Sequence, residues 1–138
     1  MALVEIRGLD HVVLRVRDLE RALAFYCGLL GCREERRLEE LGLVQLRAGR
    51  GLIDLVDVSG ALGRVGGPPP GDGARNMDHF AIQIEEFDAE LLLARLAEAG
   101  VEASPVAQRY GAEGMGPSIY LRDPDGNTVE LKGPGEGP

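Results

Sequence analysis

Tryptophan is absent from these 138 residues, and the other aromatics come to three tyrosines and three phenylalanines. A module that sequesters flat aromatic ligands without chemistry needs stacking walls, so a metal-free drug-binding role ranks last. Lysine occurs once, at Lys132. The other fourteen of the fifteen basic residues are arginine, which reads as compositional bias. Acids outnumber bases by 23 to 15, giving a net charge of −8. A nucleic-acid partner would require a phosphate-neutralising basic face, so none is expected. No apolar run approaches the ~20 residues of a membrane span, and no membrane partner is expected. Cysteine is limited to Cys27 and Cys32. That is too few for a disulfide scaffold in so short a chain, and a lone C-x4-C pair is not a metal signature. The opening MALVEIRGLDH has no basic segment leading into an apolar one, so a signal peptide is not expected and a cytoplasmic location is.

Histidine is equally scarce, and its placement is informative. LDHVVLRV (9–16) and MDHFAIQI (77–84) have one form: apolar, Asp, His, three apolar, polar, apolar. His11 and His79, the two histidines of the chain, hold the same position in it. The repeat continues past the strand. Asp18 and Asp88 stand where a helix N-cap belongs. Leu19, Ala22, Leu23 and Tyr26 correspond to Ala89, Leu92, Leu93 and Leu96, two i, i+3, i+4, i+7 stripes that predict helices with one buried face. These helices should stop near Gly28–Gly31 and at Gly100. Strand-like runs follow each: CREERRL, LGLVQLRA and GLIDLVDV in the first half, VEASPVAQ, PSIYLRD and NTVELK in the second. RDPDGN (122–127) reads as a tight turn. Each half is therefore expected to be β-α-β-β-β. The chain reads as one domain, with module one over about 8–58, a flexible linker over 59–75, module two over about 76–132 and a disordered tail over 133–138. A connection of this length also lets the halves pack across subunits.

Strand alternation assigns faces. Val12, Leu14 and Val16 should lie under the helix, leaving His11, Val13 and Arg15 on the opposite face. Phe80, Ile82 and Ile84 repeat the first set, and His79, Ala81 and Gln83 the second. The closing strands add a matched acid: Asp54 between Ile53 and Leu55, Glu130 between Val129 and Leu131. Two imidazoles and two carboxylates thus come from four matched positions on cavity-lining faces. These are ligands for a divalent first-row metal. Singly, each residue is more often solvated or structural; the symmetry of the four carries the inference. Gln45, Arg47, Tyr110 and Tyr120 are candidate specificity groups. QRYGAEGMGP (108–117), with three glycines, reads as either a lid or an ordinary loop.

From about Leu9 to Lys132 the sequence resembles the vicinal oxygen chelate superfamily, which includes glyoxalase I, fosfomycin-resistance proteins, bleomycin-binding proteins and extradiol dioxygenases. LDHVVLRVRDLERALAFYCGLLG resembles the family's opening strand and helix, and YLRDPDGNTVELK its closing hairpin. The resemblance implies an α+β fold of two tandem βαβββ modules forming a cupped mixed sheet around a metal site. It implies His11, Asp54, His79 and Glu130 as ligands of Ni, Zn, Mn or Fe. Glu130 doubles as catalytic base, with Asp54 assisting. Arg15 lies four residues after His11, where glyoxalases often hold an arginine for glutathione; Arg47, Tyr110 and Tyr120 complete the substrate-binding candidates. The family usually has Glu where this chain has Asp54. Without it, two His and one Glu resemble the fosfomycin-resistance and dioxygenase pattern. Val58 stands where glyoxalases tend to have an amide, which weakens the glutathione case. The expected activity is a glyoxalase-like lyase or isomerase on a small molecule, with glutathione or another thiol as co-substrate. The alternatives are a fosfomycin-type thiol transferase, then a metal-free drug-binding module or an Fe(II) dioxygenase. A homodimer is expected.

Overall fold

The computed structural model describes Ala2 and residues 5–137. The chain divides between Pro70 and Gly71 into two compact units. In the first, β1 (His11–Val16) leads to α1 (Leu19–Leu23), then β2 (Arg33–Leu38), β3 (Leu43–Ala48) and β4 (Gly51–Asp57). In the second, β5 (Phe80–Gln83) leads to α2 (Ala89–Glu98), then β6 (Ala107–Gly111), β7 (Gly114–Arg122) and β8 (Thr128–Lys132). The strand orders are β1-β4-β3-β2 and β5-β8-β7-β6. The helix carries the chain across its sheet, so the first and last strands of each unit are parallel while the rest pair antiparallel. These are two mixed sheets of βαβββ topology, an α+β fold.

Both helices start as the repeat predicts. Asp18 Oδ1 accepts from the Arg21 amide and Asp88 Oδ1 from the Leu91 amide, each at 3.1 Å, satisfying amides that have no partner within the helix. The first helix differs from expectation in its second half. After five residues it widens into a π-helical turn over Ala24–Leu29, which buries both Phe25 and Tyr26 edge to face at 4.9 Å. The predicted stripes face the cores: Ala22 and Tyr26 are buried with Leu14, Val16, Val44, Leu46, Ile53 and Leu55, and Leu96 is buried in a unit whose sheet contributes Ile119, Leu121, Val129 and Leu131.

Four segments depart from the sequence reading. VEASPVAQ forms only a bridge at Ala103, and the strand begins at Ala107. Pro105 has no amide to donate, and Ser104 closes the gap by exchanging bonds with Tyr120: its amide donates to the Tyr120 carbonyl, and its Oγ accepts from the Tyr120 amide. QRYGAEGMGP is a β-hairpin, β6 turning into β7 at Ala112–Glu113, in place of a lid or loop. Gly114, at φ +87°, supplies the left-handed backbone such a turn needs. The tail runs along β7: Gly133, Glu136 and Gly137 amides donate to the carbonyls of Pro117, Met115 and Glu113. The linker also has structure, a 3-10 turn at Gly63–Gly66 and a bridge between Gly71 and Ala74. Among the described residues no helix is long and apolar enough to cross a membrane.

Candidate metal and substrate site

Each Asp-His phrase forms the same local lock. Asp10 Oδ2 lies 2.7 Å from His11 Nδ1, and Asp78 Oδ2 lies 2.6 Å from His79 Nδ1. An ionised carboxylate only accepts, so Nδ1 carries the proton in both rings. The lone pair is thereby directed to Nε2, the arrangement by which an outer carboxylate orients a metal-ligating imidazole. The Asp10 bond, aided by the charge of Asp54, raises the His11 pKa above the ordinary histidine value. Both rings keep access to solvent, with 43% and 35% of their side-chain surface exposed.

The closing strand brings an acid to each histidine. β1 pairs with β4 so that His11 stands opposite Leu52, and Asp54 is the diagonal neighbour on the same face. In the second unit Ala81 stands opposite Glu130, giving His79 the same diagonal relation. There the groups meet: His79 Nε2 is 3.3 Å from Glu130 Oε1. With Nδ1 protonated toward Asp78, this pairs two electron-rich atoms, which attract when a proton or a metal ion lies between them. Asp54 and Glu130 are 4% and 6% exposed. Asp54 Oδ2 accepts from Gln45 Nε2 at 3.1 Å, while its buried Oδ1 has no hydrogen-bond partner among the described residues.

The substrate-binding candidates separate. Tyr120 stands opposite Glu130 on β7, and its ring meets His79 edge-on at 5.3 Å. Tyr110 points away. It pairs with Met115, not with the row holding Tyr120, and is 74% exposed; the alternation of β6 and β7 puts it on the other face. Arg15 is held by carbonyls of the linker, donating to Gly63 (3.2 Å), Gly67 (2.6 Å) and Pro68 (3.2 Å). Arg47 forms a bidentate pair with Glu35 at 2.9 and 3.0 Å. The β-bulge at Glu34–Arg36 is what turns Glu35 toward it. The sequence reading did not single out Arg109, whose guanidinium lies 4.3 Å over the Tyr120 ring, or the buried Ser118 that tethers it. The register of β6, misplaced by several residues at Pro105, was the signal that would have exposed it.

Residues 8–131 match the family described as the Glyoxalase/Bleomycin resistance protein/Dioxygenase superfamily. The chain belongs to this superfamily. Among its relatives, the catechol-2,3-dioxygenase of Bacillus subtilis is 28% identical over 89% of this chain. The chain spans only 40% of that enzyme's length. The fosfomycin resistance protein FosX of Mesorhizobium japonicum is 29% identical over 91% of this chain and 85% of its own. Among solved structures, an integron cassette protein from the mobile metagenome of V. cholerae is 26% identical, with a TM-score of 0.74 over 96% of this chain and 98% of its own.

Superfamily membership makes the fit of a metal worth testing against the residues themselves. Each unit offers one imidazole with an Nε2 lone pair and one buried carboxylate, and Asp54 Oδ1 is a buried oxygen with no hydrogen-bond partner among the described residues. The donor set suits a divalent first-row ion. Within either unit, among the described residues, no three His, Cys, Asp or Glu come together, so neither pair alone makes a complete site.

Proposed function

We propose that this protein is a metal-dependent enzyme that acts on a small molecule binding through neighbouring oxygens, of the glyoxalase-like lyase or isomerase type. The observation that carries the reading is the His79–Glu130 contact, with Asp78 fixing the ring; strand register gives His11 and Asp54 the matching diagonal placement. His11, His79 and Glu130 are the proposed ligands for a divalent metal, nickel, zinc, manganese or iron, and Asp54 is either a further ligand or an assisting base. When bound, the ion stabilises negative charge developing on substrate oxygen. Glu130 accepts the proton from the carbon beside that oxygen. Gln45 holds Asp54 by Oδ2 and leaves Oδ1 available for a proton or a cation. Tyr120 walls one side of the space beside His79.

A second reading, a thiol transferase or related fosfomycin-resistance enzyme, is favoured by the match to FosX over most of both chains. The two are separated by assaying methylglyoxal with glutathione, and fosfomycin with glutathione or another thiol, after loading untagged protein with each metal. Turnover of the first supports the lyase, and of the second the transferase. Activity that survives complete chelation and Glu130→Gln sinks both. We also propose a homodimer. β1 and β5 each end their sheets, and open strand edges are normally paired or covered. Light scattering showing a fully active monomer would overturn it.

A further inference from the structure

Gln45 has only a supporting part in the proposed chemistry. β3 places it on the face that carries His11 and Asp54, directly opposite Asp54. A carboxylate accepts hydrogen bonds and donates none, so the amide must turn Nε2 toward Asp54, in keeping with the 3.1 Å contact to Oδ2. This one bond settles which way the amide faces. The carbonyl oxygen, Oε1, is left on the opposite edge of the amide. Oε1 makes no hydrogen bond among the described residues and is not sealed from solvent. Gln45 itself is half-buried.

The neighbours of Gln45 on this face sort the groups that Oε1 will accept. Asp54 adds a second acceptor, since its buried Oδ1 also has no hydrogen-bond partner among the described residues. Val13, level with Asp54 on β1, adds only an apolar wall. The arginines of the face are engaged or solvated. Arg15 binds three linker carbonyls and Arg47 binds Glu35. Arg33 and Arg36 stand opposite Arg47 and Gln45 on the edge strand, where both are exposed, and an exposed charge is screened by water. An anionic group beside Gln45 therefore meets oxygen with oxygen. A hydroxyl, amide or ammonium group meets an acceptor whose direction is already set. Because Asp54 holds the amide beforehand, binding there orders little more of the side chain. The second unit has no such acceptor, because Tyr120 occupies the matching place opposite Glu130.

We propose that Gln45 is a specificity-determining residue, whose Oε1 accepts a hydrogen bond from a hydroxyl, amide or amino group of a small ligand. That this ligand is the substrate, with its neighbouring oxygens at the metal, rests on the reading above; the polarity of the subsite does not. With both in place, the substrate is a hydroxy- or amino-carbonyl compound.

The test uses ethanolamine, which carries a hydroxyl and an ammonium group, titrated into the full-length, metal-free protein. Binding is followed by the side-chain amide signal of Gln45 in nitrogen–proton spectra, with Gln83 and Gln108 as internal references. Tetramethylammonium, equal in charge but without a donor, and propionate are the controls at matched ionic strength. Ethanolamine should shift the Gln45 signal saturably and bind about tenfold more tightly than either control. Gln45→Met keeps the length and removes the amide, so ethanolamine affinity, read by calorimetry, should fall about tenfold. Asp54→Asn places a donor against Gln45, which frees the amide to turn and present Nε2. Preference should then swing from ethanolamine toward propionate, and this variant carries the test if Gln45→Met fails to fold. Metal-free protein is used throughout, so a failed metal assignment leaves these outcomes unchanged, and failure here leaves the metal assignment unchanged. A response that tetramethylammonium reproduces reports charge attraction alone and overturns the proposal. So does a Gln45 signal that ethanolamine leaves unmoved, or an affinity indifferent to both variants.

Discussion

The two units share one topology and one Asp-His lock, yet the charged groups on their candidate faces have different partners. In the first, Arg15 binds linker carbonyls, Arg47 binds Glu35, and Asp54 is held by Gln45 through one oxygen while the other, buried, has no hydrogen-bond partner among the described residues. In the second, the acid is engaged by His79, and Arg109 has no carboxylate partner among the described residues. The difference follows from the third strand. Gln45 stands opposite Asp54, whereas Tyr120 stands opposite Glu130. An amide fixes one carboxylate oxygen. A phenol ring instead supports an arginine on one side and an imidazole on the other. An aspartate also reaches one methylene less far than a glutamate. The repeat supplies matched His and acid positions, and the residues opposite the acids give them different partners.

The largest test of that comparison removes each histidine. His79→Ala should abolish stoichiometric metal, measured by elemental analysis, and His11→Ala should do the same if the units serve one ion. Full metal in His11→Ala with none in His79→Ala would break the equivalence. Removing the acids should rank next. Glu130→Gln keeps the shape and loses the base, so kcat should fall by about 10²-fold or more, with less metal lost than in Glu130→Ala. Asp54→Ala should give only partial metal loss; complete loss would make it a full ligand.

The hairpin turns give a smaller effect, read by chemical denaturation. Gly126 (φ +84°) and Gly49 (φ +61°) occupy equivalent turns with open space around them, so alanine at either should cost roughly 1–2 kcal/mol from backbone conformation alone. Gly114→Ala should cost more, because the added methyl would also collide with the Gly137 carbonyl.

Protonation sharpens the contrast further. Asp10, with help from Asp54, favours charged His11. The stabilisation this gives the fold is complete below the ordinary histidine value and fades as pH rises through the raised one. A ligand must be neutral, so metal uptake should weaken as pH falls through that same value. Metal titrations at about pH 8 and about pH 6 should show it, and Asp10→Asn should shift the loss to lower pH. The smallest effect concerns thiols. Burial pushes Cys32 up to about 11, so its alkylation at about pH 8 should be slow beside an exposed thiol.

Much of the fold was legible because it rests on local periodicity. The stripe Leu19, Ala22, Leu23, Tyr26, the caps Asp18 and Asp88, and the alternation around His11 and His79 each follow from geometry within a few residues. Segments whose structure depends on distant partners were not legible. The tail is ordered through Gly137 by bonds to β7, 16 to 24 positions earlier, and Arg15 is fixed by carbonyls about 50 residues on. DPDGN reads as a turn, yet Asp123 also accepts from the Asp125 and Asn127 amides, and Asn127 binds Asn76 across the unit.

The sequence by itself determined the module plan, the family and the four matched His and acid positions, since a repeated pattern of side-chain types constrains strand faces directly. Only the tertiary structure decided which groups have counter-charges. It is register between strands that quenches Arg47 with Glu35, removes Tyr110 to the far face, sets Gln45 against one oxygen of Asp54 and sets Arg109 on Tyr120. Pairing energy depends on distances of a few ångströms between residues far apart in the chain, and one sequence in isolation does not encode those distances in any local pattern.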